Sequence, residues 1–223
     1  MRRMYLSTLA LLFAALAGCA SSPKPADWQL EAKSALDRAV AAYLEGNTRV
    51  ESAEMAKARV EISSTGRVDL MARAELLSCA SRVASLVLEP CTGFEKLRQD
   101  APPAERAYAD YLAGKLAPAD IALLPKAQQQ SAQAAINGAP AATAFIADPL
   151  VDPLSRLIAI GVTFQAGKAS PAAVQNAVDT ASSQGWRRPL LAWLGVQLAL
   201  AEKSNDVEQA ARLQRRIALT LKP

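Results

Sequence analysis

The sequence contains no histidine in its 223 residues, and only 5% of its residues are aromatic. Without histidine the chain lacks the commonest general base, the commonest metal ligand and every catalytic triad built on an imidazole. Abundant alanine, with few aromatic and β-branched residues, excludes an all-β fold and favours helices. Because 51% of the residues are hydrophobic and 21% are charged, the composition is that of a folded chain.

Side chains suited to catalysis are few, and none forms a recognisable set. Ser78, Ser81 and Ser85 share a predicted helix but have no nearby base, and Asp148 and Asp152 each precede a proline, as residues at helix starts do. Two cysteines without histidine supply too few ligands for zinc. We therefore predict no catalytic, cofactor-binding or metal-ligating residue, and a protein that is not an enzyme.

The first 18 residues have the three-part layout of a signal peptide. Arg2 and Arg3 precede an apolar stretch at 9–16, which is shorter than the roughly 20 residues that a membrane-spanning helix needs. The segment is therefore predicted to be cleaved. Its loss lowers the net charge from +4 to +2, and no run of basic residues with interleaved aromatics follows, so we expect no binding to nucleic acid.

The leader ends in Leu16-Ala17-Gly18-Cys19, which resembles the lipobox of bacterial lipoproteins. The resemblance implies cleavage before Cys19, acylation of that cysteine and a membrane anchor for the mature chain. It also implies the periplasmic face of the outer membrane, because the residues after Cys19 lack the aspartate that retains such proteins in the inner membrane. Residues 19–26, rich in serine and proline, read as an extended tether. The alternative is an ordinary secretory leader with an incidental cysteine.

Two cysteines, Cys79 and Cys91, remain after acylation of Cys19. An even number in an oxidising compartment predicts one disulfide. Cys79 lies in a helical pattern and Cys91 follows Pro90, so the bridge would fasten the returning chain to that helix. The alternative is two unpaired thiols, one buried and one in a turn.

The mature chain, residues 27–223, is predicted to be one all-α domain built as an array of antiparallel helical hairpins. Apolar residues recur every three or four positions, with Leu76 and Val83 among those of the helix at 68–87. Helix ends are marked by Gly46, Gly114, Gly167 and Gly185, and helix starts by Asp152, Ser170 and Asn205. Thr48 to Glu51 has the pattern of a capping box. The predicted helices cover 28–45, 48–62, 68–87, 103–113, a segment from 118, 154–166, 171–185, 188–203 and 207–221. Residues 128–147 are the least periodic part and read as a helix and connector, or as a hinge.

The motif aromatic-x-x-Gly-polar occurs three times at predicted helix ends, starting at Tyr43, Tyr111 and Phe164. The last hairpin resembles tetratricopeptide-type repeats in its length and in Asn205-Asp206, Ala210 and Pro223, although their Trp-x-x-Leu-Gly half is not met in register. The resemblance implies an α-solenoid. The alternative is that an alanine-rich helical protein reuses the same helix caps, since the copies are irregularly spaced.

Trp186, Arg187, Arg188 and Trp193 form the densest aromatic and cationic cluster, and they are a candidate interaction surface. The alternative is that the tryptophans fill an alanine-lined core. Our leading hypothesis for function is a non-catalytic adaptor for an envelope protein; the second is a binder of a small molecule or envelope polymer. A broad apolar strip rimmed by charge would favour the first, and a groove lined by Trp and Arg the second.

Overall fold

A computed structural model describes residues 25–136 and 152–222, which form ten α-helices, one 3-10 helix and no strand. The all-α fold predicted from the sequence is confirmed for these residues. The helices are α1 (Asp27–Glu45), α2 (Thr48–Ser63), α3 (Val68–Ala84), α4 (Thr92–Glu95), α5 (Pro103–Leu112), the 3-10 helix (Pro118–Leu123), α6 (Lys126–Ile136), α7 (Pro153–Gln165), α8 (Pro171–Ser183), α9 (Arg187–Lys203) and α10 (Val207–Leu221).

Most helix boundaries lie within one or two residues of the predicted ones, and α3 is the exception. It ends at Ala84, whereas the apolar period predicted a helix to residue 87. Leu86 adopts a left-handed conformation with φ 59°, and the N–H of Val87 donates to the carbonyl of Arg82 at 2.9 Å. A helix end of this kind is usually marked by glycine, but here a leucine occupies the left-handed position.

Two of the predicted N-caps are confirmed and two are shifted by one residue. Asp152 and Ser170 accept hydrogen bonds from the backbone N–H groups three residues on, as expected for prolines at the first helical position. The cap of α2 is Asn47 rather than Thr48, and that of α10 is Asp206 rather than Asn205. Asn205 instead takes the left-handed conformation that ends the preceding helix.

The three aromatic-x-x-Gly motifs close their helices in the same way. In each motif the glycine has positive φ, and its N–H donates to the carbonyl of the aromatic residue at 2.9–3.0 Å. The N–H of the residue after the glycine donates to the carbonyl of the residue just before the aromatic one. This is the Schellman ending, which satisfies carbonyls that the helix leaves free. The glycines concerned are Gly46, Gly114 and Gly167.

Successive helices pack as antiparallel hairpins around α3. Arg38 binds Glu54 and Lys57 binds Glu31, and the crossed order of these pairs fixes the antiparallel alignment of α1 and α2. Helix α3 contacts α1, α2, α4, α5 and α7, whereas α8, α9 and α10 continue the array from α7. The α9 helix also returns to contact α1.

Small side chains dominate the interfaces between these helices. Among residues 25–136 and 152–222, seven alanines have a relative exposure of zero, and they occur on α1, α2, α3 and α8: Ala35, Ala58, Ala72, Ala80, Ala84, Ala177 and Ala181. Because alanine lets two helix axes approach closely, few large side chains are needed to fill the space between them. A close approach between two helix backbones occurs at Gly161 on α7, whose Cα faces the backbone of Val83 on α3.

We expect Gly161→Ala to destabilise the protein by about 1–3 kcal/mol. A methyl group at this position would lie 2.5 Å from the carbonyl oxygen of Val83, so α3 and α7 would have to separate. The matched control is Gly195→Ala on α9, where a methyl group meets nothing within 4 Å and should stabilise the helix by about 1 kcal/mol. Urea unfolding followed by circular dichroism measures both changes. Equal stability of the two variants would contradict the close packing.

Candidate functional site

Cys79 on α3 and Cys91, which directly precedes α4, lie at disulfide distance from each other, as the predicted pairing requires. The two Cα atoms lie 5.7 Å apart, within the usual range for a bridge. The segment that the bridge fastens carries Phe94, which is completely buried in the main core. The bridge therefore holds an otherwise irregular stretch of chain against the central helix.

The predicted interaction surface around Trp186 and Trp193 is largely turned inward. Trp193 is completely buried, its indole Nε1 donates to the carbonyl of Ala84 at 3.0 Å, and its ring meets the edge of Phe164. It belongs to the core, the alternative that the sequence left open. Trp186 is half-buried against the same core.

The two arginines of this cluster join α9 to the turn between α1 and α2. Arg188 donates to the carbonyl of Tyr43 at 2.7 Å and to the hydroxyl of Thr48 at 2.9 Å, and its guanidinium lies 4.4 Å from the centre of the Tyr43 ring. Arg187 lies beside Gly46 in the same turn. The lipidation candidate Cys19 and the end of the predicted hinge, from 137 onward, lie outside the described residues.

A polar cleft of about 670 Å³ opens beside the disulfide, between α3, the end of α2 and the segment with α4. Glu75 has a side chain only 10% exposed and accepts two hydrogen bonds from Arg59, with Nε to Oε1 at 2.6 Å and Nη2 to Oε2 at 3.0 Å. Arg82 is bound by the buried Glu51. Of the three cations that line this cleft, only Lys96 forms no ion pair with a described residue.

A second, apolar groove follows the outer face of α3, with two cavities of about 400 and 390 Å³. Arg73 and Leu77, one turn apart on α3, line both cavities, so the cavities adjoin there. One wall comes from α1 and the other from α5 and the 3-10 helix. We call this surface the α3 groove; its large apolar side chains are Trp28, Leu36, Leu70, Leu77, Tyr108 and Leu123.

An asymmetric ion pair lies where the two cavities meet. Arg73 on α3 donates from Nε to Oε1 of Glu105 on α5 at 2.5 Å. The Glu105 side chain is only 6% exposed, whereas that of Arg73 is 63% exposed. Oε2 of Glu105 is buried without a hydrogen-bond partner among the described residues. The Arg73 guanidinium is therefore anchored at one nitrogen and presents its other donors to solvent.

Two tyrosines, the partly buried Tyr108 and the buried Tyr111, support the α5 side of the groove. Tyr108 lines the second cavity and stacks on Tyr111, with ring centres 6.1 Å apart. Burial raises the pKa of both phenols well above the ordinary value, so they are neutral at physiological pH. The Tyr111 hydroxyl hydrogen-bonds to Gln128 and Ser131, which ties α5 to α6. The tyrosines of this wall are therefore uncharged, and the charge on α5 at the groove belongs to Glu105, which is paired with Arg73.

The sequence contained a signal for the α3 groove that the periodicity argument did not use. The core stripe of α3 was predicted from residues such as Leu76 and Val83, but Leu70, Ala74 and Leu77 form a second apolar row at steps of four and three. A helix with two apolar rows faces two neighbours, or one neighbour and an open surface. Arg73 lies within the second row, and nothing local to it predicts its partner Glu105.

Comparison of this chain with protein-family models, curated proteins and solved structures gives no match. The resemblances of its leader and of its last hairpin therefore stay predictions. In the two described ranges, no three cysteine, aspartate or glutamate residues come together as a metal site. None of the helices described is both long enough and apolar enough to cross a membrane.

Removing the disulfide with Cys79→Ala and Cys91→Ala together should lower the free energy of unfolding by about 3 kcal/mol, because the closed loop no longer restricts the unfolded chain. Denaturant unfolding with and without a reductant measures the effect. The reductant should destabilise the native protein to a similar extent and leave the double variant unchanged. A native protein indifferent to the reductant, with no gain of two hydrogens in mass, would contradict the bridge.

Proposed function

We propose that the protein is a lipoprotein, anchored through Cys19 at the periplasmic face of the outer membrane, whose helical domain is a non-catalytic adaptor for another envelope protein. The proposal joins two independent features of the chain. The lipobox-like leader and its tether favour an anchor, and the α3 groove favours a protein partner. No arrangement of catalytic groups stands out among the described side chains.

The α3 groove is the observation that carries the adaptor proposal. Apolar side chains from four helices and the 3-10 helix line its two adjoining cavities, and Leu123 among them is 40% exposed. Charged residues also line the groove, where Arg67 pairs with Asp69 and Lys33 pairs with Asp37. Apolar surfaces rimmed by charge are typical of protein interaction sites, and a groove between helices suits an amphipathic helix.

The groove would also lie close to the membrane in an anchored protein. Trp28, which lines one end of the groove, follows Cys19 by only nine residues. A tether of that length spans at most about 30 Å when fully extended. Partners within reach are therefore membrane-bound proteins, or soluble ones that approach the membrane surface.

The second candidate is a binder of a small molecule or an envelope polymer at the polar cleft beside the disulfide. The observation that favours it is the size of the cleft, about 670 Å³, combined with its charged lining. Against it, Arg59 uses both Nε and Nη2 on Glu75, and Arg82 uses its two terminal nitrogens on Ser78 and Glu51, so both have fewer donors to offer a ligand. The adaptor is the function that the geometry supports better.

Cys19→Ser should abolish incorporation of a labelled fatty acid and release the protein from the membrane fraction, because the thiol that accepts the acyl group is lost. Metabolic labelling and fractionation of cells measure both effects. Cys79→Ser is the matched control, since it changes a cysteine of the folded domain and should keep the label. Labelling that survives Cys19→Ser would contradict the anchor.

A photo-crosslinking amino acid at Leu123 should capture the same envelope protein in repeated experiments in intact cells. The groove would bring this exposed side chain into contact with the partner. Val60 on α2, which is 67% exposed and outside both cavities, is the matched control position. Mass spectrometry of the adducts identifies the partner. Adducts that are equal at both positions, or absent at Leu123, would contradict the proposal.

A further inference from the structure

We propose that the α3 groove selects a partner helix that carries a carboxylate beside its apolar face, and that Arg73 binds this carboxylate. The inference rests on the adaptor proposed above and names the chemistry of its partner. It is argued from the position of Arg73, from the geometry of its ion pair and from a second ion pair of the same kind elsewhere in the domain.

Arg73 lies on α3 at the junction of the two cavities, where a helix that fills both cavities must cross. It lines both apolar cavities, together with Leu77 one turn further along α3. A partner helix that put large apolar side chains into both cavities would therefore lie over the guanidinium. If the partner placed only apolar groups there, the Arg73 guanidinium would lose its hydrating water and its N–H donors would have no new acceptor. Such a loss is unfavourable for binding.

The pairing of Arg73 differs from that of Arg59, which also binds a buried glutamate. Arg59 donates to both oxygens of Glu75, whereas Arg73 donates to one oxygen of Glu105 and leaves Oε2 without a described partner. Arg73 therefore does not make the two-point contact with its glutamate that Arg59 makes. Its terminal nitrogens make no hydrogen bond to any described residue.

A guanidinium has two donor edges, and Glu105 needs only one of them. Only Nε of Arg73 contacts Glu105, and the edge formed by the two terminal nitrogens remains for a second carboxylate. A carboxylate on the partner would pair with that edge at two points, beside Leu77 and Tyr108, and the partner helix itself would cover the pair. Burial strengthens such a charged hydrogen bond. Glu105 is then a positioning residue for Arg73.

The probe for this inference is a displayed library of helical peptides of about 16 residues, a length that allows four turns. Their apolar face is leucine, and their polar positions are randomised among Glu, Gln and Lys. Selection uses the mature lipoprotein in lipid nanodiscs. We expect enriched peptides to carry Glu beside the leucine face, and Glu→Gln in such a peptide should weaken binding about tenfold.

Arg73→Gln should weaken binding of the same peptide about tenfold, and combining it with the Glu→Gln peptide should cost no more than either change alone. Arg59→Gln is the matched control, because Arg59 also pairs with a buried glutamate but lies outside the groove, and it should leave binding unchanged. Arg73→Glu should shift the selection toward Lys. Circular dichroism confirms that each variant is folded.

Each of the following outcomes would overturn the inference. Enriched peptides without a preference for Glu, or with full affinity for Arg73→Gln, would show that Arg73 does not recognise the partner, while the adaptor proposal would stand. A lack of any enriched peptide, together with a protein adduct at Leu123, would exclude a helical partner of this kind and again leave the adaptor standing. Adducts at Leu123 that contain only lipid, or only a second copy of this chain, would overturn both proposals.

Discussion

The central position of α3 is the constraint on which the rest of the structure depends. Its backbone approaches α7 at Gly161, its last turn accepts the indole N–H of Trp193, and Cys79 fastens the segment with α4 to it. Three ion pairs, each with its own buried glutamate, also join α3 to its neighbours. Glu75 and Arg82 pair with residues of α2, and Arg73 pairs with a residue of α5. Both the polar cleft and the α3 groove are therefore built on one helix, and the position of that helix decides the shape of each.

The burial of the three glutamates explains why these pairs hold the helices in register. A buried carboxylate without its partner is strongly destabilising, so each arginine is confined to one neighbourhood although its own side chain is 37–63% exposed. Lysines at exposed pairs such as Lys33 and Asp37 carry no such constraint, because solvent competes for both groups. The pairs with a buried glutamate thus hold the helices in register, whereas the exposed pairs at the surface place little restriction on them.

The sequence predicted the helices well because their ends are marked by local chemistry. Asp152 and Ser170 cap helices that begin with proline, and Gly46 ends α1, so each boundary depends on residues within one turn. It failed at Leu86, where a leucine takes the left-handed conformation of a glycine, and at the groove. The partner of Arg73 is Glu105, 32 residues away, and no local pattern joins the two. Likewise, Trp193 could be assigned to the core rather than the surface only once α3 and α7 were in place.

The alanine-filled interfaces have a consequence for how this sequence can change over evolutionary time. Where a large side chain fills a core, a smaller or differently shaped one is often accommodated by its neighbours, but positions such as Ala80 and Ala177, with no exposed surface, offer no room for growth in either helix. Substitutions at these interfaces then have to occur as paired replacements on the two facing helices, or the alanines have to be retained. The open surfaces are free of this restriction, so new binding specificities can arise on the outer face of α3 while the packing beneath it stays the same.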